Sequence, residues 1–241
     1  MISGRTRSRS SDSMQAPDKR YMRTRRHNTN RRNALRSLKR RDVLGLLILG
    51  DVKTGKSALA ERWCKGVYHE AYTPTVEEFY NKSYRYLGQS VSVGLIDLTG
   101  SGAFPAMLDL YCKKTDSIIL CYEVGNADSV RECSRLYDYI NKVRGENEIL
   151  FSVVGTKIDQ HPDTGEGYES TEVDELLKKL NHPKHVMTSA KLDINVTDAF
   201  ENALTSLVAQ MIPDEDAIKA FNKMRKHHEP RKKWFRLCCF R

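Results

Sequence analysis

The sequence predicts an α/β layer fold: a mostly parallel sheet of about six strands with one antiparallel edge strand, and about five helices. Two observations carry this. Between Val43 and Met211 short apolar runs alternate with stretches of helical pattern, and the first apolar run passes through a glycine-bearing turn directly into a helical stretch. Such alternation is the signature of parallel strands joined by crossover helices.

Taken in order, Val43 to Ile48 is the first buried strand, and Lys56 to Trp63 is the helix after the turn. Tyr84 to Tyr86 and Val91 to Ile96 are separated by Leu87-Gly88-Gln89-Ser90, a hairpin that adds the antiparallel edge. Further strands are expected at Ser117 to Val124, Ile149 to Val154 and His185 to Thr188. Helices fit between them: a short one from Pro105 to Tyr111, Ser129 to Val143 stopped by Gly145, Thr171 to Leu180, and Val196 to Met211. The stretch Gln160 to Ser170 carries Pro162, Gly165 and Gly167 among charges and reads as a surface loop.

A chain of 241 residues holds one domain of about 150 to 200 residues with room for extensions. Its 39% apolar and 29% charged residues allow a proper core, yet the formal charge of +9 is unevenly placed. Residues 1–41 hold 14 Lys and Arg against Asp12 and Asp18; residues 213–241 hold 9 against four acids, which leaves 42–212 at −8. Three segments follow: a disordered Arg/Ser-rich basic arm at 1–41, a globular domain at 42–212 and a basic tail at 213–241. An acidic globular centre between basic arms argues against a compact nucleic-acid-binding domain, because the positive charge lies where the chain lacks a core.

Six cysteines are too sparse for a disulfide scaffold, and Cys64, Cys112, Cys121 and Cys133 fall singly in apolar or helical patterns, as packing thiols do. No CxxC or clustered Cys/His spacing suggests zinc. Apolar runs fall far short of the roughly 18 residues of a membrane span and no signal-peptide apolar region opens the chain, so a cytosolic topology is expected. The amino arm has too few apolar residues for the amphipathic face of a transit peptide.

Gly50-Asp51-Val52-Lys53-Thr54-Gly55-Lys56-Ser57 matches GxxxxGK[ST], between a buried strand and a helix. Glycines let the backbone amides turn inward on phosphates, and the helix amino end adds its dipole. Lys56 neutralises β- and γ-phosphate charge, and Ser57 offers a hydroxyl to Mg²⁺. This P-loop makes the fold class a P-loop NTPase fold and says nucleotide, without saying which one. Base choice comes later. Val153-Val154-Gly155-Thr156-Lys157-Ile158-Asp159 leaves a strand and ends in a carboxylate that can accept hydrogen bonds from both N1 and N2 of guanine, a donor pair adenine lacks. Thr188-Ser189-Ala190-Lys191 follows another strand and places a backbone amide near the guanine O6.

With these motifs in this order, residues 43 to 212 resemble a Ras-superfamily small GTPase of the Ras family. Tyr72-Thr73-Pro74-Thr75-Val76-Glu77 resembles the first switch, and Asp97-Leu98-Thr99-Gly100 resembles the DxxG element of the second. The resemblance implies GTP or GDP with Mg²⁺, held by Gly50 to Ala58 with Thr156, Lys157, Asp159, Ser189, Ala190 and Lys191. It puts Ser57, Thr75 and Asp97 on the metal, the last through water, and Thr75 with the Gly100 amide on the γ-phosphate. Tyr68 takes the place of the aromatic that stacks on guanine. Loss of the γ-phosphate would release both switch loops. Gly100-Ser101 followed by Phe104-Pro105-Ala106-Met107 is similar to the Di-Ras and Rhes-like branch.

The candidate catalytic residues are Lys56, Thr75, Gly100 and Ser101, and one of them departs from the family. Ras-type enzymes orient the attacking water with a Gln after DxxG; here the position is Ser101, whose hydroxyl is too short for that task. Val52 stands where Ras has a glycine and crowds the space an arginine finger would use. Both changes predict slow GTP hydrolysis and a switch resting largely in its GTP form. Lys53 adds a positive charge that either favours tight nucleotide binding or points to solvent. The alternative class is a GTP-locked or nucleotide-indifferent scaffold that always presents its effector surface, Thr73 to Tyr80. The family further implies an exchange factor, a GTPase-activating protein and a monomeric chain.

The tail sets Ile218, Phe221, Met224 and His228 at helical spacing among Lys and Arg, and ends Arg231-Lys232-Lys233-Trp234-Phe235-Arg236-Leu237-Cys238-Cys239-Phe240-Arg241. Basic residues, aromatic wedges and terminal cysteines read as a segment for an anionic membrane surface, the plasma membrane first. S-acylation of Cys238 and Cys239 is favoured over prenylation, because Arg241 is a poor last residue for a prenyltransferase. An unmodified tail held by charge or by calmodulin is the alternative. Ser8, Ser10, Ser11 and Ser13 lie among arginines as kinase targets; a cytosolic or nuclear location ranks below the membrane, and no specific nucleic-acid contact is expected.

Overall fold

The computed structural model describes residues 43–86, 89–98, 105–145, 149–161 and 170–211. Along the chain run β1 (Leu44–Gly50), α1 (Lys56–Lys65), β2 (Glu77–Tyr86), β3 (Gln89–Leu98), α2 (Pro105–Lys114), β4 (Ser117–Glu123) and α3 (Ala127–Arg144). Then come β5 (Leu150–Thr156), a 3₁₀ turn (Ile158–Gln160), α4 (Thr171–Lys179), β6 (Lys184–Met187) and α5 (Val196–Met211). The strands form one sheet in the order β2-β3-β1-β4-β5-β6, and only the β2–β3 pairing is antiparallel. The predicted fold class therefore holds, with six strands and five helices among the described residues.

Alternation along β1 builds both layers. Successive side chains of a strand point to opposite faces. Leu44, Leu46 and Ile48 join Leu59, Trp63 and Phe200 in one core beneath α1 and α5, while Leu47 and Leu49 join Leu120, Leu136 and Ile140 in the other. A strand buried on both faces must be apolar throughout, which is why this run shows no polar alternation. Trp63 and Phe200 stack with ring centroids 4.2 Å apart, locking α1 to α5.

Several element ends differ from expectation, each for a local reason. The Asn126 side chain accepts from the Ser129 N–H at 3.2 Å, so α3 starts at Ala127, before the expected Ser129. Gly66, at φ 74°, caps α1 by donating its N–H to the Arg62 carbonyl, carrying the helix past Trp63. Gly145 ends α3 as its sequence position suggested. The largest difference is β2. It begins at Glu77, well before Tyr84, because it pairs with β3 from Glu77 opposite Leu98 down to Tyr86 opposite Gln89. As an edge strand it buries one face only: Tyr80 is buried while Phe79 is exposed. The predicted hairpin turn is correspondingly shorter, since Gln89 and Ser90 belong to β3.

Cys112, Cys121 and Cys133 are buried and Cys64 half-buried, all four as free thiols. Burial pushes Cys112 and Cys133 up to about 12 and Cys64 up to about 11, so they stay protonated. No helix among the described residues is long and apolar enough to cross a membrane. Both basic arms, most of the Gln160 to Ser170 loop, and the residues Thr99 to Phe104 lie outside the described residues.

Candidate functional site

The loops leaving the carboxyl ends of β1, β5 and β6 converge with the end of β3, as expected for an open parallel sheet. At the first of them a Cβ on Gly50 would lie 2.0 Å from the Cys121 carbonyl oxygen, so only glycine lets the chain turn this close to β4. Lys53 and Gly55 then take positive φ, 61° and 86°. Inside the loop the Asp51 carbonyl accepts from Thr54 Oγ1 at 2.8 Å and from Lys56 Nζ at 2.5 Å, while the Asp51 carboxylate accepts from the Val52 N–H at 2.7 Å. The turn is thereby closed on itself at the amino end of α1. Burial pulls the Lys56 ammonium below its ordinary pKa, and Asp97 is the strongest influence holding it up.

Asp97, near the end of β3, is completely buried, and neither carboxylate oxygen has a hydrogen-bond partner. Burial raises its pKa, against the nearby Ser57 hydroxyl and Lys56 ammonium. The Ser57 hydroxyl also pairs with Thr75, either one donating, with Oγ and Oγ1 2.9 Å apart. A buried carboxylate left without donors is costly unless something else satisfies it. Two hydroxyls beside one such carboxylate make an oxygen-only donor set, which fits Mg²⁺ and suits no softer metal.

At the other end of the site the Asp159 Oδ1 accepts from Ser189 Oγ at 2.6 Å, and Ser189 Oγ in turn accepts from the Leu192 N–H at 3.0 Å. That chain of bonds fixes the carboxylate. The Thr156 hydroxyl bridges the carbonyls of Thr54 and Tyr122, tying the first loop to the end of β5. Lys157, at φ 60°, pairs with Glu123 at 3.0 Å. The β6 loop is anchored from afar: Arg62 donates from Nε to the Ala190 carbonyl at 2.7 Å and from a terminal nitrogen to the Lys191 carbonyl at 3.1 Å. Lys191 also pairs with Glu70 at 2.8 Å.

These elements enclose a cavity of about 990 Å³, the size of a small-molecule site. Of the residues read from sequence, Val52, Lys53, Gly55, Lys56, Ser57, Ala58, Tyr68, Thr75, Asp97, Thr156, Lys157, Asp159, Ala190 and Lys191 line it. Gly50, Asp51, Thr54 and Ser189 stand behind the lining and shape it. Gly100, Ser101, Cys238 and Cys239 lie outside the described residues.

Comparison with known proteins decides the family: the Ras family model matches residues 45–209. The chain belongs to the Ras family. It is 34% identical over 158 residues to the GTP-binding protein Di-Ras2 of Pongo abelii and to that of Macaca fascicularis, covering 65% of this chain and 78% of each relative. Di-Ras2 of Mus musculus matches to the same extent. These relatives bear out the Di-Ras side of the branch resemblance drawn from the second switch. As a Ras-family member the chain is a small GTPase, a GTP hydrolase that binds GTP or GDP with Mg²⁺.

Sequence reasoning missed Arg62, Glu70 and Glu123, which position this Ras-family site without belonging to its motifs. Arg62 and Glu70 act on carbonyls and a lysine more than a hundred residues away, and nothing in a helix-surface arginine signals that. Glu123 sits at a strand end, where an acid reads as solvated loop.

Proposed function

We propose that this chain is a signalling switch that hydrolyses GTP slowly, rests largely in its GTP form and works at the cytoplasmic face of a membrane. The observation that carries the switch reading is the Ser57–Thr75 hydroxyl pair at 2.9 Å beside the unpartnered Asp97. It draws the first switch onto the phosphate end of the cavity. In this reading Lys56 and the loop amides from Lys53 to Ala58 hold the phosphates, and Asp159, fixed by Ser189, reads guanine. Tyr68 and Lys157 flank the base, with the Ala190 amide at its O6. Ser57, Thr75 and Asp97 would hold Mg²⁺, which when bound neutralises charge on the β- and γ-phosphate oxygens. Thr75 and the Gly100 amide complete the grip on the γ-phosphate, and their release on its loss frees the effector segment Thr73 to Tyr80. That segment already presents Val76 and Phe79 outward, 53% and 57% exposed.

Slow turnover follows from two residues. Ser101 replaces the Gln that would orient water, and Val52, 43% exposed on the cavity, fills space that a glycine would leave open. Single-turnover hydrolysis of bound GTP tests this. Wild-type protein is expected to be slow and Ser101→Gln several-fold faster; a wild-type rate equal to ordinary Ras sinks the proposal. If wild type and Ser101→Gln both show no turnover with GTP firmly bound, the GTP-locked scaffold is the better reading. The membrane part rests on the basic, aromatic tail with Cys238 and Cys239. Replacing both cysteines with serine should move the protein from the membrane to the soluble fraction of cells; an unchanged distribution removes acylation as the anchor.

A further inference from the structure

The left-handed φ of Lys53, 61°, belongs with that of Gly55 to the loop that turns its amides inward, but the Lys53 side chain makes a contact that phosphate binding does not require. From there its ammonium lies over the Tyr72 ring, 5.7 Å from the centroid. Tyr72 belongs to the first switch, three residues before Thr75. The segment from Val67 to Val76 has no helix or strand of its own. Side chains tie it across the cavity: Tyr68 to Arg62, Glu70 to Lys191, Tyr72 to Lys53, and Thr75 to Ser57. Of these, only the Lys53 and Ser57 contacts join the switch to the phosphate end.

We propose that Lys53 and Tyr72 form a latch that holds the first switch over the bound nucleotide and slows its release, Lys53 being a positioning residue that acts through the tyrosine ring. It rests on the reading that this cavity takes the nucleotide. A cation over an aromatic face is attracted by the ring quadrupole whatever the state of the phosphate chain. The latch therefore closes equally over di- and triphosphate, whereas a lysine acting directly on phosphate would favour the triphosphate. An exchange factor working on this chain has to part Lys53 from Tyr72 as well as displace Thr75.

The test is dissociation of a fluorescent GDP, and of a fluorescent non-hydrolysable GTP analogue, from full-length protein loaded to measured stoichiometry. Lys53→Ala and Tyr72→Ala are each expected to speed release about two- to fivefold, equally for both nucleotides. The double variant should be no faster than the faster single one, and Lys53→Arg and Tyr72→Phe should keep the wild-type rate. Additive single effects, a silent Tyr72→Ala, or an effect of Lys53→Ala confined to the triphosphate would each overturn the latch and leave nucleotide binding intact. Wild-type protein that fails to load at all would overturn the underlying reading instead.

Discussion

Thr156 shows how one hydroxyl can organise a nucleotide site. It is 3% exposed and bridges two carbonyls, Thr54 in the P-loop and Tyr122 at the end of β4. Thr156→Val keeps the shape but removes the single proton the two carbonyls share, which costs about 1–3 kcal/mol; urea unfolding should show that loss, with faster nucleotide release. Asp159 makes a sharper prediction. On the proposed guanine reading, Asp159→Ala removes two charge-assisted hydrogen bonds to the base, so GDP affinity should fall by roughly 30-fold or more, measured by equilibrium titration. His185, against Tyr122 at 2.9 Å, gives the site region a pH dependence. Burial lowers its pKa from 6.5, opposed by Asp174, so the folded protein holds it neutral where the unfolded chain binds a proton. Its stabilising contribution is present above about 6.5 and fades as pH falls towards the lower folded value. The stability advantage of wild type over His185→Gln should shrink between pH 7 and pH 5; a constant difference would show that the imidazole does not titrate with folding. Motif residues such as Lys56, Ser57 and Asp159 were legible because their chemistry is local to a strand-loop-helix unit. Arg62 was not, since its partners Ala190 and Lys191 come from the far end of the domain.

At the scale of elements, burial decided what the sequence could reveal. β1 and β4 are buried on both faces and read as plain apolar runs. β2, EEFYNKSYRY, is an edge strand whose outer face is polar apart from the exposed Phe79, so only its final aromatic residues looked like a strand. Its true start at Glu77 depends on pairing with β3, a tertiary fact. The consequence is functional: half of the segment Thr73 to Tyr80 is sheet edge, held in register, and half is irregular backbone tied to the P-loop through Thr75. Helix α5 illustrates the opposite case, with its amphipathic pattern clear from the start. Phe200 is completely buried and stacks on Trp63 of α1, the helix that begins with Lys56 and Ser57. Phe200→Ala should cost about 3–5 kcal/mol by denaturant unfolding, a cavity penalty rather than a surface effect. A loss below 1 kcal/mol would mean that the two helices repack freely.

At the scale of the whole molecule, charge separates the parts. The acidic domain does the nucleotide chemistry, and the basic segments at 1–41 and 213–241 carry the positive charge that suits an anionic surface. The family match over residues 45–209 falls inside the acidic part. The switch rests with GTP bound, on this reading, because Ser101 and Val52 impair hydrolysis; the Lys53–Tyr72 latch, indifferent to the phosphate count, slows release without choosing the nucleotide. The most direct measurement is the identity of the nucleotide that travels with the purified full-length protein, released by denaturation and separated by chromatography. A guanine nucleotide near one per chain, with GTP in excess over GDP, is the predicted result. GDP alone would show that the chain completes hydrolysis unaided and would contradict the account.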